Sequence, residues 1–198
     1  MKCAAFFLLS IKLFTMRKLS MQELGRLDPK AFKEATKTPV VLVLDNIRSA
    51  LNVGSSFRTA DAFILEHIYL CGITATPPHR EILKTALGAT ETMNWSYHKD
   101  TAELIAELKE SAYCIIAVEQ AEDSVALQDF EPEQGRRYAL IFGNEVGGVD
   151  DKALELADTC LEIPQFGTKH SINVAVCVGI VSWELFRKLS LGNTSASL

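Results

Sequence analysis

Residues 142–149 read Phe142-Gly-Asn-Glu-Val-Gly-Gly-Val149 and follow a short apolar run that begins at Tyr138. A second apolar run, Thr159 to Ile163, leads into the loop Ile163-Pro-Gln-Phe-Gly167. Each run predicts a buried strand, and each loop predicts a turn that leads to a helix. The two glycine-containing loops are therefore expected to lie side by side.

The glycines of these loops indicate that a ligand is bound there. Glycine lets bare backbone approach a ligand, because it has no side chain and tolerates positive φ angles. Four glycines are therefore expected at ligand distance: Gly143, Gly147, Gly148 and Gly167. Ser171 is predicted to cap a helix that continues to Leu189, which turns its hydroxyl and the free N–H groups of the first turn toward the same cavity. We interpret the two loops as a cofactor pocket.

Polar side chains stand where these strands end and the helices begin: Asn144, Glu145, Ser171 and Asn173. A single glycine loop is commonly only a connection between a strand and a helix. A pair of such loops with polar groups at the same edge is harder to explain in that way, because open α/β sheets bind their ligands at this edge.

Length and composition predict one globular domain. The chain has 198 residues, and 48% of them are hydrophobic, which is enough for a sizeable core. The cysteines are odd in number and mostly lie within apolar runs, so we expect reduced thiols in the cytoplasm rather than disulfides. They are Cys3, Cys71, Cys114, Cys160 and Cys177. No CxxC or HExxH pattern occurs, and no metal is predicted.

Charge is distributed unevenly along the chain. The net charge of −5 argues against general binding of polyanions. Residues 1–40 nevertheless carry eight Lys or Arg against three Asp or Glu, whereas residues 99–131 carry two against nine. A basic face can contact a phosphate backbone in a protein that is acidic overall. Alternatively, these charged residues form only a solvated surface and bind no partner.

The N-terminal region is expected to be an extension of the domain. Residues 1–15 are predicted to be an upstream segment that is too short to span a membrane, and residues 20–37 are predicted to be helical. We divide the chain into a basic, partly helical extension at 1–38, a domain at 39–190 and a tail at 191–198.

Between these limits, strands and helices alternate. Further strands are predicted at Val40–Leu44, Ile68–Cys71, Trp95–His98 and Tyr113–Val118, and helices from about Val53, at Ile82–Leu87 and at Thr101–Ser111, with a connection at Val125–Phe130. The unbroken apolar runs are typical of parallel strands that are covered on both faces. The predicted fold is α/β, with a mostly parallel sheet and helices on both faces.

A third motif precedes the other two in the chain. Asn52, Gly54 and Arg58 have the spacing N-x-G-x-x-x-R at the start of a predicted helix, so Gly54 and Arg58 share one helical face. The dinucleotide pattern GxGxxG and the P-loop are both absent. Ordinary nucleotide-binding folds therefore explain the pattern poorly.

The three motifs together resemble those of the SpoU (TrmH-like) RNA ribose 2′-O-methyltransferases, in the same order, over Val40 to Leu189. The resemblance implies an enzyme that uses S-adenosylmethionine (AdoMet) and has the SPOUT fold, in which the C-terminal segment forms a deep trefoil knot. It also implies a homodimer with the site at the subunit interface.

By position, the resemblance assigns catalytic roles to Arg58, Asn52, Glu145, Ser171 and Asn173. It assigns cofactor binding to Val118, Gly143, Asn144, Gly147, Ile163, Ser171 and Asn173. Two residues depart from the family pattern. Gln165 stands where methionine is common, and Ile172 where leucine is usual.

Basic residues close to the motifs are expected to contact RNA: Arg48, Arg80, Lys84 and Lys169, with His79 and His170. No recognisable RNA-binding domain precedes the motifs, which favours tRNA over rRNA. The C-terminal helix carries Ala175, Gly179 and Ser182 at helical spacing, and this face is either a dimer contact or part of an ordinary core helix.

The role of Arg58 has two interpretations. The family's arginine has been cast as the general base, but a guanidinium with a pKa above about 12 is almost never neutral. It is physically easier for the charged guanidinium to hold the phosphate and stabilise the developing alkoxide than to remove a proton. Two functions of other classes stay open, a non-catalytic RNA-binding protein with this fold and an unrelated nucleotide-binding α/β protein.

Overall fold

Seven strands form the centre of the protein in a computed structural model that describes residues 16–20 and 22–191. They are β1 Thr38–Asp45, β2 Leu65–Cys71, β3 Trp95–His98, β4 Tyr113–Val118, β5 Val125–Ala126, β6 Arg137–Phe142 and β7 Thr159–Glu162. Their order in the sheet is β3-β2-β1-β6-β4-β7-β5, and every pairing between these strands is parallel. The predicted parallel α/β sheet is confirmed.

Helices precede, connect and follow the strands. They are α1 Pro29–Glu34, α2 Ala50–Ala62, α3 Arg80–Ala86, α4 Ala89–Thr92, α5 Thr101–Glu110, α6 Asp151–Glu155 and α7 Val174–Phe186. A 3₁₀ turn at Leu127–Asp129 follows β5, and a π-helical turn at Arg187–Leu191 follows α7.

Two apolar cores lie on the two faces of the sheet. In β1, Val40, Leu42 and Leu44 belong to one core and Val41 and Val43 to the other, because successive side chains of a strand point to opposite faces. The first core includes residues of α2, α3 and α7, and the second includes residues of α5 and α6. Burial on both faces explains why β1 is apolar without alternation.

The predicted helix at 20–37 is wrong. Among the residues of this region that the structure describes, only α1 is an α-helix, and it begins where Asp28 accepts hydrogen bonds from the N–H groups of Lys30 and Ala31, with Pro29 in the first turn. Gly25, with a φ angle of +58°, interrupts the preceding segment. A glycine in this conformation and a capped proline start are both signals of a helix boundary, and they override the apolar periodicity.

The other predicted boundaries differ less from those in the structure. The predicted connection at Val125–Phe130 contains β5 and the 3₁₀ turn, and the short helices α4 and α6 were not predicted. The expectations for residues 1–15 and 192–198 lie outside the described residues. Within the described part, no helix is long and apolar enough to cross a membrane.

Candidate active site

The carboxyl ends of β4, β6 and β7, neighbours in the sheet, border a cavity of about 680 Å³. Its lining comes from residues 118–120, 142–149, 151, 154, 161–163, 165, 170–174 and 177. The residues to which the resemblance assigns cofactor binding all line this cavity: Val118, Gly143, Asn144, Gly147, Ile163, Ser171 and Asn173. Gly148 lines it as well, whereas Gly167, which was also expected at ligand distance, does not. The two glycine loops therefore meet, as expected from the end of a parallel sheet.

The loop after β6 closes on itself. The backbone N–H and C=O of Asn144 both pair with Gly148, at 3.0 Å each, and the Asn144 side-chain oxygen accepts hydrogen bonds from the N–H groups of Val146 and Gly147 at 2.9 and 2.8 Å. A Cβ atom on Gly143 would lie 1.9 Å from the carbonyl carbon of Gly148. Only glycine allows the backbone to approach so closely.

Glu119 holds the far end of the same loop. Its Oε2 accepts a hydrogen bond from the N–H of Val149 at 3.1 Å, and its Oε1 accepts one from the N–H of Gln120 at 2.8 Å. Gly148 has a φ angle of +71°, and a Cβ atom there would lie 2.2 Å from Glu119 Oε2. Glu119 is not among the residues predicted from the sequence, where its only signal is its position directly after the apolar run that ends at Val118.

The other two loop glycines have more space. A Cβ atom on Gly147 would make an ordinary contact with the side chain of Asn144, at 3.6 Å. Among the described residues, nothing lies within 4 Å of a Cβ atom placed on Gly167. Gly143 and Gly148 are therefore required by the fold of the loop itself, whereas Gly147 and Gly167 keep the surface open.

Glu145 connects this loop to the start of α2. Its carboxylate accepts hydrogen bonds from the N–H groups of Arg48 at 3.1 Å and Ser49 at 3.3 Å, and from the side-chain amide of Asn52 at 2.8 Å. Burial alone would raise the pKa of Glu145, but hydrogen bonds from its own N–H, from Asn52 and from the two other N–H groups outweigh burial and lower that pKa. The positive end of the α2 dipole also favours a carboxylate here.

Asn173 joins the third motif to this network. Its side-chain amide donates a hydrogen bond to Asn52 Oδ1 at 3.2 Å, while its Oδ1 accepts from the N–H groups of Ala175 at 3.0 Å and Val176 at 3.4 Å. Asn173 is therefore the cap of α7, and the prediction that Ser171 caps this helix is wrong. Both residue types cap helices, and the chain enters its helical conformation only at Val174. Ser171 is an exposed residue at the cavity.

Arg58 lies apart from these residues. It is six positions after Asn52 on α2, so its side chain leaves the helix from a different face. It lines a second cavity of about 500 Å³ with Ser55, Thr59, Ala62, Phe63, Lys84, Thr85 and Gly179. Gly54, one turn before Arg58, lies against α3, where a Cβ atom would be 2.3 Å from the carbonyl oxygen of Ile82. The glycine of this motif thus packs α2 against α3, with Arg58 on that side.

Comparison with known proteins identifies the family. The sequence profile of the SpoU rRNA Methylase family matches residues 39–183, well over half of the chain. The chain belongs to the SpoU family.

Relatives of this SpoU protein include enzymes named for two kinds of RNA. The 23S rRNA (guanosine-2′-O-)-methyltransferase RlmB of Neisseria meningitidis serogroup B is 31% identical over 158 residues, which cover 80% of this chain and 62% of the relative. The tRNA (guanosine(18)-2′-O)-methyltransferase of Borreliella burgdorferi is 27% identical over 150 residues, which cover 76% of this chain and 67% of that enzyme. The chain thus spans less than two thirds of the first relative.

A solved structure agrees with the fold. The AdoMet-bound rRNA methyltransferase from Sinorhizobium meliloti superposes with a TM-score of 0.72 at 26% identity, over 80% of this chain and 60% of that chain.

The predicted RNA-contacting residues of the SpoU protein are all exposed: Arg48, His79, Arg80, Lys84, Lys169 and His170. Arg48 precedes α2, and His79 caps α3, with its Nδ1 accepting a hydrogen bond from the N–H of Glu81 at 3.3 Å. Lys84 borders the Arg58 cavity, whereas His170 lines the larger cavity. Lys84 and His170 therefore border different cavities, and the other four residues line neither.

The predicted small-residue face of α7 is only partly on the surface. Ser182 is fully buried, whereas a Cβ atom on Gly179 would meet nothing within 4 Å among the described residues. The outward face of the helix is formed by Val176, Ile180 and Trp183, which are 51%, 38% and 44% exposed. An apolar helical face on a surface is typical of a protein contact.

One thiol lines the cavity of the SpoU protein, that of Cys177. Within the described residues, no group of three His, Cys, Asp or Glu is placed to hold a metal ion. Cys177 lines the cavity, but burial, with a smaller effect of Glu119, raises the pKa of its thiol to about 11. A thiol with this pKa is protonated at neutral pH.

Proposed function

We propose that this protein transfers a methyl group from AdoMet to a ribose 2′-hydroxyl in RNA. The observation that carries the proposal is the glycine-lined cavity of about 680 Å³ at the carboxyl edge of the sheet, beside the linked side chains of Glu145, Asn52 and Asn173. The names of the SpoU-family relatives and the AdoMet-bound structure similar to this chain support it.

The cavity suits AdoMet in size and lining. Its volume lies within the range of roughly 300–1,000 Å³ that small-molecule sites occupy. Backbone groups of the loop at 143–148 are accessible because Gly147 carries no side chain, and Val118 and Ile163 provide an apolar wall. When bound, AdoMet supplies a methyl group on a sulfonium for an in-line displacement. The protein's part is to align the hydroxyl with this methyl group, and alignment alone can supply several kcal/mol.

We assign Arg58 to the phosphate next to the target ribose and to the alkoxide that develops when the hydroxyl loses its proton. A guanidinium has donors in a fixed fork and stays protonated, which suits this role better than that of a base. Glu145, Asn52 and Asn173 position the loop, the start of α2 and the start of α7 relative to one another. Ser171, exposed at the cavity, is assigned to the substrate or cofactor.

A homodimer with its sites at the subunit interface is part of the proposal. Arg58 and the proposed AdoMet pocket border different cavities of one chain, which is the arrangement expected if a second subunit completes the site. The outward face of α7, with Val176, Ile180 and Trp183, supports this assembly because it borders both cavities through its neighbours Cys177 and Gly179.

We also propose that the C-terminal segment of the domain at 39–190 forms the SPOUT knot. Support comes from strand order, because β7 lies between β4 and β5, and residues 119–124 therefore cross the end of β7. Gln120, in this crossing segment, donates a hydrogen bond to the carbonyl of His170 at 3.0 Å.

For the substrate, we propose tRNA in preference to rRNA, with Arg48, Arg80, Lys84 and Lys169 on the phosphate backbone. Phosphate contacts orient an RNA without reading its sequence. The relatives act by name on both kinds of RNA, so the test must include both. The cytoplasm, where such RNA is found, is the compartment we propose.

The decisive experiment incubates the purified protein with methyl-labelled AdoMet and with bulk tRNA or rRNA. Transfer to a 2′-hydroxyl is expected to leave an alkali-resistant dinucleotide, because the methylated ribose can no longer assist cleavage. Calorimetry with AdoMet and with NAD is expected to give binding for AdoMet only. RNA binding without methyl transfer would indicate a non-catalytic protein with this fold, and binding of NAD alone would indicate an unrelated nucleotide-binding protein.

A further inference from the structure

The loop between β7 and α7 carries an aromatic side chain that the proposed chemistry does not use. Phe166 is 98% exposed, in a protein whose other phenylalanines in the described part are buried or half-buried. Its chain neighbour Gln165 lines the large cavity, as does His170, whereas Phe166 does not. The ring therefore stands at the mouth of this cavity and faces outward.

The loop is fixed on both sides of this ring. Before it, β7 is paired in the sheet, and after it the carbonyl of His170 accepts the hydrogen bond from Gln120. Gly167 next to the ring has open space around it. A large apolar group is thus presented to solvent from a loop whose two ends are held.

The surroundings of the ring indicate what it binds. Lys169 and His170 follow within four positions, and both are exposed. Unpaired RNA bases stack on aromatic side chains, while neighbouring basic groups contact the phosphates. We propose that Phe166 stacks on an unpaired base of the RNA, at or next to the nucleotide whose ribose reaches the cavity, and that Lys169 contacts the adjoining phosphate. This inference rests on the proposed function and adds the residue that holds the base.

The experiment compares Phe166→Ala, Phe166→Leu and Phe166→Trp for RNA binding and methyl transfer. Loss of one stacked base is expected to weaken RNA binding by about 5- to 150-fold, the equivalent of 1–3 kcal/mol. The alanine and leucine variants are expected to lose RNA affinity to a similar extent, since leucine is apolar but has no ring. The Phe166→Trp variant is expected to bind RNA at least as well as the native protein. RNA is expected to quench the fluorescence of its new tryptophan, and the native protein, which has only Trp95 and Trp183, is the control.

Three controls separate stacking from other roles. Calorimetry is expected to give the same AdoMet affinity for all three variants, and light scattering the same mass. Ile73→Ala removes another exposed apolar side chain from a loop, 67% exposed, and is expected to leave RNA binding unchanged. Lys169→Ala is expected to reduce the slope of affinity against salt concentration by about one unit, whereas Phe166→Ala is expected to leave that slope unchanged.

The outcomes separate the inference from the proposed function. Normal RNA affinity in Phe166→Ala, in a preparation whose native form methylates RNA, would refute stacking and leave the proposed function intact. Full binding by the leucine variant, or a lower mass in any variant, would assign the ring to packing against a second subunit. Quenching and weakened binding without any methyl transfer would support stacking while the proposed function fails.

Discussion

Glu145 is the side chain on which two distant parts of the chain converge. It lies more than 90 positions from Arg48, Ser49 and Asn52 in sequence, yet it accepts a hydrogen bond from each of them. An ionised carboxylate accepts these bonds more strongly than a protonated carboxyl does, and they hold the pKa of Glu145 below its usual value. The charge of Glu145 therefore matters for the position of the loop.

Glu145→Gln is expected to reduce methyl transfer and to destabilise the protein in a pH-dependent way. Because the pKa of Glu145 is lowered in the folded state, its contribution to stability is present above the ordinary value of 4.5 and disappears as the pH falls through the folded value. Urea midpoints of the native protein and the Glu145→Gln variant are thus expected to differ at pH 7 and to converge below pH 4.5. Glu110→Gln, at an exposed position at the end of α5, is the matched control. A constant difference at all pH values would contradict the role of the charge.

Arg58→Ala is expected to abolish methyl transfer without weakening AdoMet binding, because Arg58 does not line the cavity proposed for AdoMet. Arg58→Lys is expected to rescue poorly, since an ammonium lacks the planar fork of donors. Turnover on RNA and calorimetry with AdoMet measure the two effects separately. Near-normal turnover in Arg58→Ala would remove this residue from the mechanism.

At the scale of an element, the start of α7 combines two tasks in Asn173. Its oxygen caps the helix, and its amide contacts Asn52. Asn173→Asp keeps the capping oxygen but cannot donate to Asn52, whose own amide is engaged with Glu145. This variant is expected to retain native stability with reduced turnover. Asn173→Ala is expected to lose turnover and also about 0.5–2 kcal/mol of stability.

Thermal or urea unfolding together with turnover distinguishes these two variants. Equal loss of stability in both would mean that the contact with Asn52, and not the cap, stabilises the helix start. Full activity in Asn173→Asp would mean that the contact with Asn52 has no part in the reaction.

The elements were predicted best where one physical signal dominated. β3 and β4 have the predicted bounds. β4 is an unbroken apolar run flanked by turn residues, which leaves few alternatives. The predictions fail where two sequence signals compete. Ser171 and Asn173 are both good caps, and sequence alone does not fix which of them has the helix after it. Glu119 and the contact of Arg48 with Glu145 depend on sheet order, which local patterns do not contain.

At the scale of the whole molecule, Gly179 provides a test of assembly. A leucine at this position enters open space in the single chain, so Gly179→Leu is expected to fold normally and to separate the subunits of a dimer that packs on α7. Ser182, by contrast, is buried, and Ser182→Leu is expected to destabilise the chain itself by roughly 1–3 kcal/mol.

Light scattering over a dilution series measures the mass of both variants, and circular dichroism verifies their folding. A native protein that is monomeric at micromolar concentration while it methylates RNA would contradict the dimer and the shared site.

The order of strands also determines when the protein can fold during its synthesis. β1 pairs with β6, whose residues follow about 98 positions later, as in the pair Val40 and Tyr138, and β4 gains its second neighbour only with β7. Contacts between such distant residues form slowly, because long loops must close first. A growing chain on the ribosome therefore exposes the open edges of β1 and β4 until most of the domain has emerged, and the sheet is expected to be completed only then.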